Sequence, residues 1–201
     1  RDDPVLPHEK IALWNQSNQI YLDELKHRRK TGEPISRMRG WREFWSMRFT
    51  LSPATLDPRP DSECLIGAVI DWSSRQHCIS RCLDIGTGSG CLLLACLSEL
   101  TFLTGVGIDI SAEALCVAVN NAKMHGLADR TEFCLHDFAS DLTEFGQFDL
   151  IITNPPYIPT TEIAKLDSDV RNFDPMKALD GGLDGLDCWR ILCPQISTAL
   201  S

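Results

Sequence analysis

Asn154-Pro155-Pro156-Tyr157 follows the apolar run Phe148-Asp149-Leu150-Ile151-Ile152-Thr153, and its residue types carry a definite chemistry. A residue before proline is pushed into extended backbone, and proline fixes its own φ and has no N–H to donate. Asn154 and Pro155 are therefore held extended in a segment that offers mostly acceptors. The Asn154 side-chain oxygen and the carbonyls of this stiff backbone suit both hydrogens of a planar NH2 group, and the Tyr157 ring offers a face to stack on. An amide or an exocyclic amine fits such a site. Its nitrogen is a poor nucleophile because the lone pair is delocalised, so orientation toward an electrophile is the help these residues supply. The plain alternative is a strand that ends in a proline turn.

A second set of residues supplies the partner for that amine. Asp84-Ile85-Gly86-Thr87-Gly88-Ser89-Gly90 places three glycines between a short apolar strand and a helix, where a tight turn lets a ligand approach the backbone. The spacing is G-x-G-x-G with Cys91 next, so the dinucleotide fingerprint G-x-G-x-x-G is not met and a cofactor without a pyrophosphate fits better. Asp109 ends the following strand, about 20 residues on, where a carboxylate accepts hydrogen bonds from both hydroxyls of a ribose. Asp137-Phe138, after the third strand, can bracket a purine, with the carboxylate near a ring amine and the aromatic on its face. Each of these alone is equally consistent with packing or capping. In order and at strand ends they describe a nucleoside with a charged tail. S-adenosylmethionine matches, with its sulfonium methyl directed at the NH2 held by Asn154.

These residues need a scaffold that brings them to one edge, and the pattern from Ser80 provides it. Cys82-Leu83-Asp84-Ile85, Gly105 to Asp109, Thr131 to Leu135 and Phe148 to Thr153 read as strands, with helices at Cys91 to Leu100 and Ala112 to His125. Alternating strands and helices imply a parallel sheet covered on both faces, with ligands at the carboxyl ends of its strands. A polar stretch runs from Tyr157 to Gly182, and a helix from about Asp184 to the end. Upstream, Glu9 to Lys30 reads as a helix with Ile11, Trp14, Leu22 and Leu25 on one side, stopped by Thr31-Gly32-Glu33-Pro34. Trp45, Met47, Phe49 and Leu51 alternate with polar residues as a half-buried strand, with a partner expected near Arg37 to Gly40. The stiff loop Leu56 to Glu63 then leads to a helix carrying Leu65, Ile66, Val69, Ile70 and Trp72, with Asp61 or Ser62 as its cap. Arg59, braced by Pro58 and Pro60 beside acidic residues, either serves the site or holds a linker by salt bridges.

The composition narrows the function classes. The chain has 201 residues, 43% hydrophobic and 23% charged, enough for one globular domain with an attachment. Its net charge of −9 gives no basic field to draw the whole surface onto nucleic acid, although Lys26 to Lys30 with Arg37, Arg39 and Arg42 form a local basic group. No run reaches the ~18 apolar residues of a membrane span, and no signal-peptide pattern opens the chain. Nine cysteines, none in a C-x-x-C pair and most in apolar runs, indicate a reduced, cytoplasmic protein of bacterial type, with an organellar location as the lesser alternative. The scattered histidines and cysteines have no zinc-ligand spacing, so no metal is expected.

With the loop, the acid and the tetrapeptide in place, the chain resembles the class I S-adenosylmethionine-dependent methyltransferases. More closely, it resembles the family that methylates the glutamine side-chain amide of peptide chain release factors. The likeness runs from about Arg28 to Leu200. It rests on Arg29-x-x-Gly32-Glu33-Pro34, Gly40-x-x-Glu43-Phe44-Trp45, Pro58-Arg59-Pro60-Asp61-Ser62-Glu63, Asp84 to Gly90, Asp109-Ile110-Ser111, Asn154 to Tyr157, and Ala178-Leu179 leading to Asp184-Gly185-Leu186-Asp187. The resemblance implies that Gly86, Thr87, Gly88, Ser89, Gly90, Asp109, Asp137, Phe138 and Asn154 contact the cofactor. It implies too that Asn154, Pro155, Pro156 and Tyr157, with Arg59 beside them, hold the glutamine of a Gly-Gly-Gln loop. Release factors are then the partners, with no direct nucleic acid or membrane. In this sequence Ser62 replaces a usual Thr, Asp174-Pro175 a usual Glu-Pro, and Phe138 a common Trp. The implied fold is a Rossmann-like parallel-sheet domain. Residues 1–31 are expected to end an N-terminal helical, substrate-binding domain and 32–60 to form a hairpin linker. Residues 61–201 would be the methyltransferase domain, incomplete at its C-terminal end because a seven-stranded sheet needs strands beyond Asn154. An amino-methyltransferase of adenine in nucleic acid and a non-catalytic cofactor-binding fragment stand as the alternatives.

Overall fold

Four strands with apolar runs and one shared direction build the centre of the molecule. The computed structural model describes residues 16–75 and 79–201; the expected helix segment before Gln16, with Ile11 and Trp14, and Cys78 lie outside the described residues. Strands β3 (Arg81–Ile85), β4 (Thr104–Asp109), β5 (Thr131–Leu135) and β6 (Leu150–Thr153) form a parallel sheet in the order β5-β4-β3-β6. Central β3 pairs on both sides and is buried from Cys82 to Ile85, which is why it reads as a continuous apolar run. The chain steps outward from β3 through β4 to β5, then returns to β6 on the other side of β3. The order therefore reverses between β3 and β6, where open α/β sheets bind their ligands.

Helices α3 (Glu63–Arg75), α4 (Cys91–Glu99) and α5 (Ala112–Met124) connect and cover the strands. Every residue from Leu92 to Leu97 is buried, so α4 is apolar all round and sits inside the core. Its C-terminal carbonyls are not left orphaned. The Arg130 guanidinium donates to the carbonyls of Leu97, Leu100, Thr101 and Leu103. In α3, Ile66 and Val69 are buried as expected, whereas Trp72 is exposed. A 3-10 turn at Pro60–Ser62 runs directly into this helix in place of a side-chain cap from Asp61 or Ser62. The alternation of strand and helix breaks once. Between β5 and β6 only a 3-10 turn, Leu142–Phe145, replaces a helix, and it buries Leu142.

The N-terminal part departs from expectation in its pairing. Helix α1 (Gln16–Lys30) presents half-buried Leu22 and Leu25 and ends at Gly32, whose φ of +91° closes the helix. Arg37 to Arg39, expected to pair as a strand, lie in the short helix α2 (Ile35–Arg39), which Gly40 ends in the left-handed region. The strand carrying Phe49 is β2 (Met47–Thr50), and its partner is β1 (Trp41–Phe44), with Phe44 opposite Met47. Trp45, expected in the strand, forms the two-residue turn with Ser46, at φ +51° and +56°. Such turns favour Asn-Gly. Here tertiary bonds supply the difference, because Trp45 donates its backbone N–H to Glu63 of α3 and its ring N–H to Glu99 of α4.

After β6 the polar stretch folds into a 3-10 turn at Thr160–Lys165, helix α6 (Ser168–Phe173) and a 3-10 turn at Met176–Ala178. Helix α7 (Asp187–Ala199) starts three residues later than read, because Asp184 and Gly185 belong to a turn. Beyond it, Leu200 makes a parallel bridge to Phe148 on the outer side of β6. Among the described residues no helix is long and apolar enough to cross a membrane.

Candidate active site

Below the loop after β3, three buried side chains fix the backbone before any ligand arrives. Gly86 N–H and Thr87 N–H both donate to the Ile108 carbonyl of β4 at 2.9 Å. Thr87 Oγ1 donates to Asp84 Oδ2 at 2.7 Å, and Asn121 Nδ2 of α5 donates to the Ser89 carbonyl at 2.9 Å. Gly86, Gly88 and Gly90 adopt φ of +72°, +55° and +79°, conformations that side-chained residues rarely take. The loop is thus a rigid glycine turn. Asp84 beneath it is 1% exposed, and this burial drives its pKa up to about 7; the bond from Thr87 opposes the rise, and the charge of Asp109 adds a small part.

Asp109 closes β4 with both oxygens oriented by backbone. Gly88 N–H donates to Oδ2 at 2.8 Å and Ser111 N–H to Oδ1 at 2.9 Å. A carboxylate has about four acceptor sites, so those remaining are pre-aimed. Ser111 also caps α5 through its side chain. The four-residue run after β5, His136 to Ala139, turns on Asp137, whose Oδ1 accepts from Ala139 N–H. Phe138 packs on the second core cluster behind it.

The carboxyl ends of β3 and β6 lie side by side, since Ile85 pairs with Thr153 and Thr153 Oγ1 donates to the Ile85 carbonyl at 2.8 Å. A cavity of about 550 Å³ opens between them. Its wall includes Gly86, Thr87, Gly88, Ser89, Asp109, Asp137, Phe138, Asn154, Pro155, Pro156 and Arg59. Nearly every site residue expected from sequence therefore meets in one place. Gly90 does not line the cavity and serves as the left-handed residue before α4. Tyr157 does not line it either. The residue is 60% exposed, and its backbone packs so closely on Gly185 that a Cβ there would collide with the Tyr157 carbonyl oxygen.

Several contributors were not foreseen. Pro175 to Ala178 and Asp180 line the cavity, with Asp174 bonded to Arg59. Asp174-Pro175 and Ala178-Leu179 were noted in the sequence without a role at the site. His136 lines the cavity with Nδ1 3.0 Å from Glu144 and its ring edge-on to Phe145. Asn121 is fully buried in an otherwise apolar helix face, and such a polar intruder was the available signal. Cys91 lines the cavity in part, yet burial pushes its thiol up to about 12, so it is not a thiolate nucleophile at neutral pH. The arrangement is a preformed pocket with a carboxylate, exposed glycine backbone and an amide, suited to binding and orienting two reactants rather than to covalent catalysis.

Comparison with known proteins agrees with this geometry. Release factor glutamine methyltransferases of Rhodospirillum rubrum, Bradyrhizobium diazoefficiens and Agrobacterium fabrum are 47%, 48% and 45% identical over 100%, 96% and 94% of the chain. The chain spans 58%, 65% and 65% of those proteins, about three fifths of their length. Among solved structures, the hMettl16 catalytic domain in complex with the MAT2A 3'UTR hairpin 6 superposes with a TM-score of 0.61 at 17% identity, over 78% of this chain and 59% of that one, a likeness of fold. Residues 79–180, the stretch that builds the sheet and both sides of the cavity, match the Methyltransferase domain family, and the chain belongs to it.

Proposed function

We propose that this chain carries the site of an enzyme that methylates the side-chain amide nitrogen of glutamine in the Gly-Gly-Gln motif of peptide chain release factors, with S-adenosylmethionine as methyl donor. The observation that carries the reading is the single cavity in which the glycine loop and Asp109 stand across the β3/β6 switch from Asn154-Pro155-Pro156. The names of the relatives support the acceptor, and the geometry supports the donor.

The residues fit that cofactor. Asp109, oriented by two backbone N–H groups, retains acceptor sites for ribose hydroxyls. Asp137 and Phe138 offer a carboxylate and a ring to a purine, and the left-handed glycines leave the backbone open to close approach. The volume, about 550 Å³, lies within the roughly 300–1,000 Å³ of small-molecule sites. When bound, S-adenosylmethionine supplies an electrophilic methyl group. The protein's part is orientation: Asn154 Oδ1 and the carbonyls of the proline-braced backbone accept both N–H bonds of the planar amide and hold its nitrogen toward the donor half. Leu56, Ile85, Pro155 and Met176 give the cavity apolar walls that limit water. Residues 1–31 are read as the end of a helical substrate-binding part and 32–60 as the linker to a cytoplasmic enzyme's methyltransferase domain. A chain at −9 favours a protein acceptor over a polyanion.

The test is transfer of tritiated methyl by the complete protein to an intact release factor, its Gly-Gly-Gln glutamine variant, duplex DNA and bulk RNA. Label is expected only on the first. Asn154→Ala should lower kcat by roughly 100-fold or more, the scale for losing one preorganised hydrogen-bond partner, while calorimetry still shows cofactor binding. Label on adenine with a folded release factor left unlabelled overturns the reading.

A further inference from the structure

The side-chain carboxylate of Asp174 is 2% exposed, and three donors from two separate segments meet on it. It accepts from Arg37 of α2 at 2.6 Å, from Arg59 at 2.5 Å and from the backbone N–H of Asp57 at 3.2 Å. Arg37, itself 7% exposed, also donates to the carbonyls of Ser52 and Thr55 at 2.6 Å each. One buried anion thus fastens α2 and the strap from Ser52 to Arg59 to the loop that continues as Pro175 to Ala178.

The strap and that loop are two walls of the same cavity: Leu56, Pro58 and Arg59 on one, Pro175, Met176 and Ala178 on the other. None of the bonds to Asp174 reaches the glycine loop or Asp109, which are fixed separately by Ile108, Thr87 and Asn121. The cavity therefore has two halves with their own braces, joined through Asn121, which bonds both the Ser89 carbonyl and Thr50 just before the strap. In a buried site the attraction between Asp174 and two guanidinium groups offsets their loss of water, and removal of the anion leaves Arg37 charged with only carbonyl partners.

We propose that Asp174 is a positioning residue: its charge sets the spacing between the Arg59 strap and the Pro175–Ala178 wall, and so shapes the half of the cavity that the acceptor loop enters. The identity of that acceptor rests on the function proposed above; the positioning role does not.

In the complete protein, Asp174→Asn keeps the shape and removes the charge, while Asp174→Glu keeps the charge. Methylation kinetics on a release factor, calorimetric affinity for S-adenosylmethionine and amide hydrogen exchange are measured for both. Asp174→Asn is expected to raise KM for the release factor and lower kcat/KM roughly 100-fold, the scale of a 1 Å misplacement. Its cofactor affinity should stay within about twofold, as for uncoupled sites, which also shows that the variant folds. Exchange at the Ala178 and Leu179 amides, bonded to the Pro175 and Met176 carbonyls, should quicken, and Asp174→Glu should recover most of the activity. Wild-type kcat/KM in the Asn variant, or cofactor affinity that falls in step with activity, overturns the positioning role. So does a Glu variant as impaired as Asn. If the wild type leaves the release factor unlabelled, the functional reading fails, and exchange decides alone: unchanged rates at Ala178 and Leu179 in the Asn variant sink the proposal.

Discussion

Asp84 and Asp109 end neighbouring strands, yet their surroundings give them opposite tasks. Asp109 is held by two backbone N–H groups and faces the cavity, whereas Asp84 is buried with the Thr87 hydroxyl donating to it. A carboxyl whose folded pKa rises to about 7 from an ordinary 3.8 binds its proton more tightly in the folded state. The stability it lends is complete below about pH 4 and is lost as pH climbs through 7, at roughly 1.4 kcal/mol per unit and about 4 kcal/mol over the whole span. Thermal melts should therefore show Asp84→Asn, which still accepts from Thr87, losing less stability than the wild type between pH 5 and 8; parallel curves would show that Asp84 does not titrate in that window. The sequence singled out Asp109 because a carboxylate at a strand end beside glycines is a recognisable pattern, and the fold places it on the cavity wall. For Tyr157 the aromatic type suggested a stacking face, whereas its place relative to the cavity depends on close packing of its backbone with Gly181 and Gly185, from a loop more than twenty positions away.

Strands with apolar runs and helices with buried faces were legible as elements, since period and burial are local properties. Their partners were less so. The Trp45-Ser46 turn breaks the local preference for glycine, and Glu63 and Glu99, which hold it, belong to helices read quite separately. Helix α5 shows the same limit. Its Asn121 side chain accepts from Thr50 N–H at 2.9 Å and donates to the Thr50 carbonyl at 3.1 Å and the Ser89 carbonyl, so one helix ties the hairpin to the glycine loop. Replacing Asn121 with Ala leaves these buried backbone groups short of partners, at about 1–3 kcal/mol for each such loss. Urea unfolding of Asn121→Ala should place the midpoint well below that of the wild type, by about 3 kcal/mol in all, with weaker cofactor binding from the freed Ser89 segment. An unmoved midpoint would mean that the hairpin and the loop are held by packing alone.

For the molecule as a whole, the described sheet ends in two edge strands, β5 and β6. Beyond β6, among the described residues, only the contacts of Phe148 with Ala199, Leu200 and Ser201 continue the ladder, so the outer backbone of Leu150 to Thr153 is a template for another strand. The 201-residue chain by itself should associate as its concentration rises, which light scattering after size-exclusion chromatography would detect; a monomer across the whole range would show that this edge is protected. The ion pair that ties the Arg59 strap to the Pro175–Ala178 loop also has a place in time. Arg37 and Asp174 are 137 positions apart. At synthesis rates of roughly 5–20 residues per second, the cation leaves the ribosome on the order of ten seconds before its anion is made. By then β3, β4, α5 and the glycine turn are already available to pair, and the loop-closure entropy of joining Arg37 to Asp174 has yet to be met. The strap is thus made well before the loop that fastens it, and Arg37 waits on Asp174 for its counter-charge.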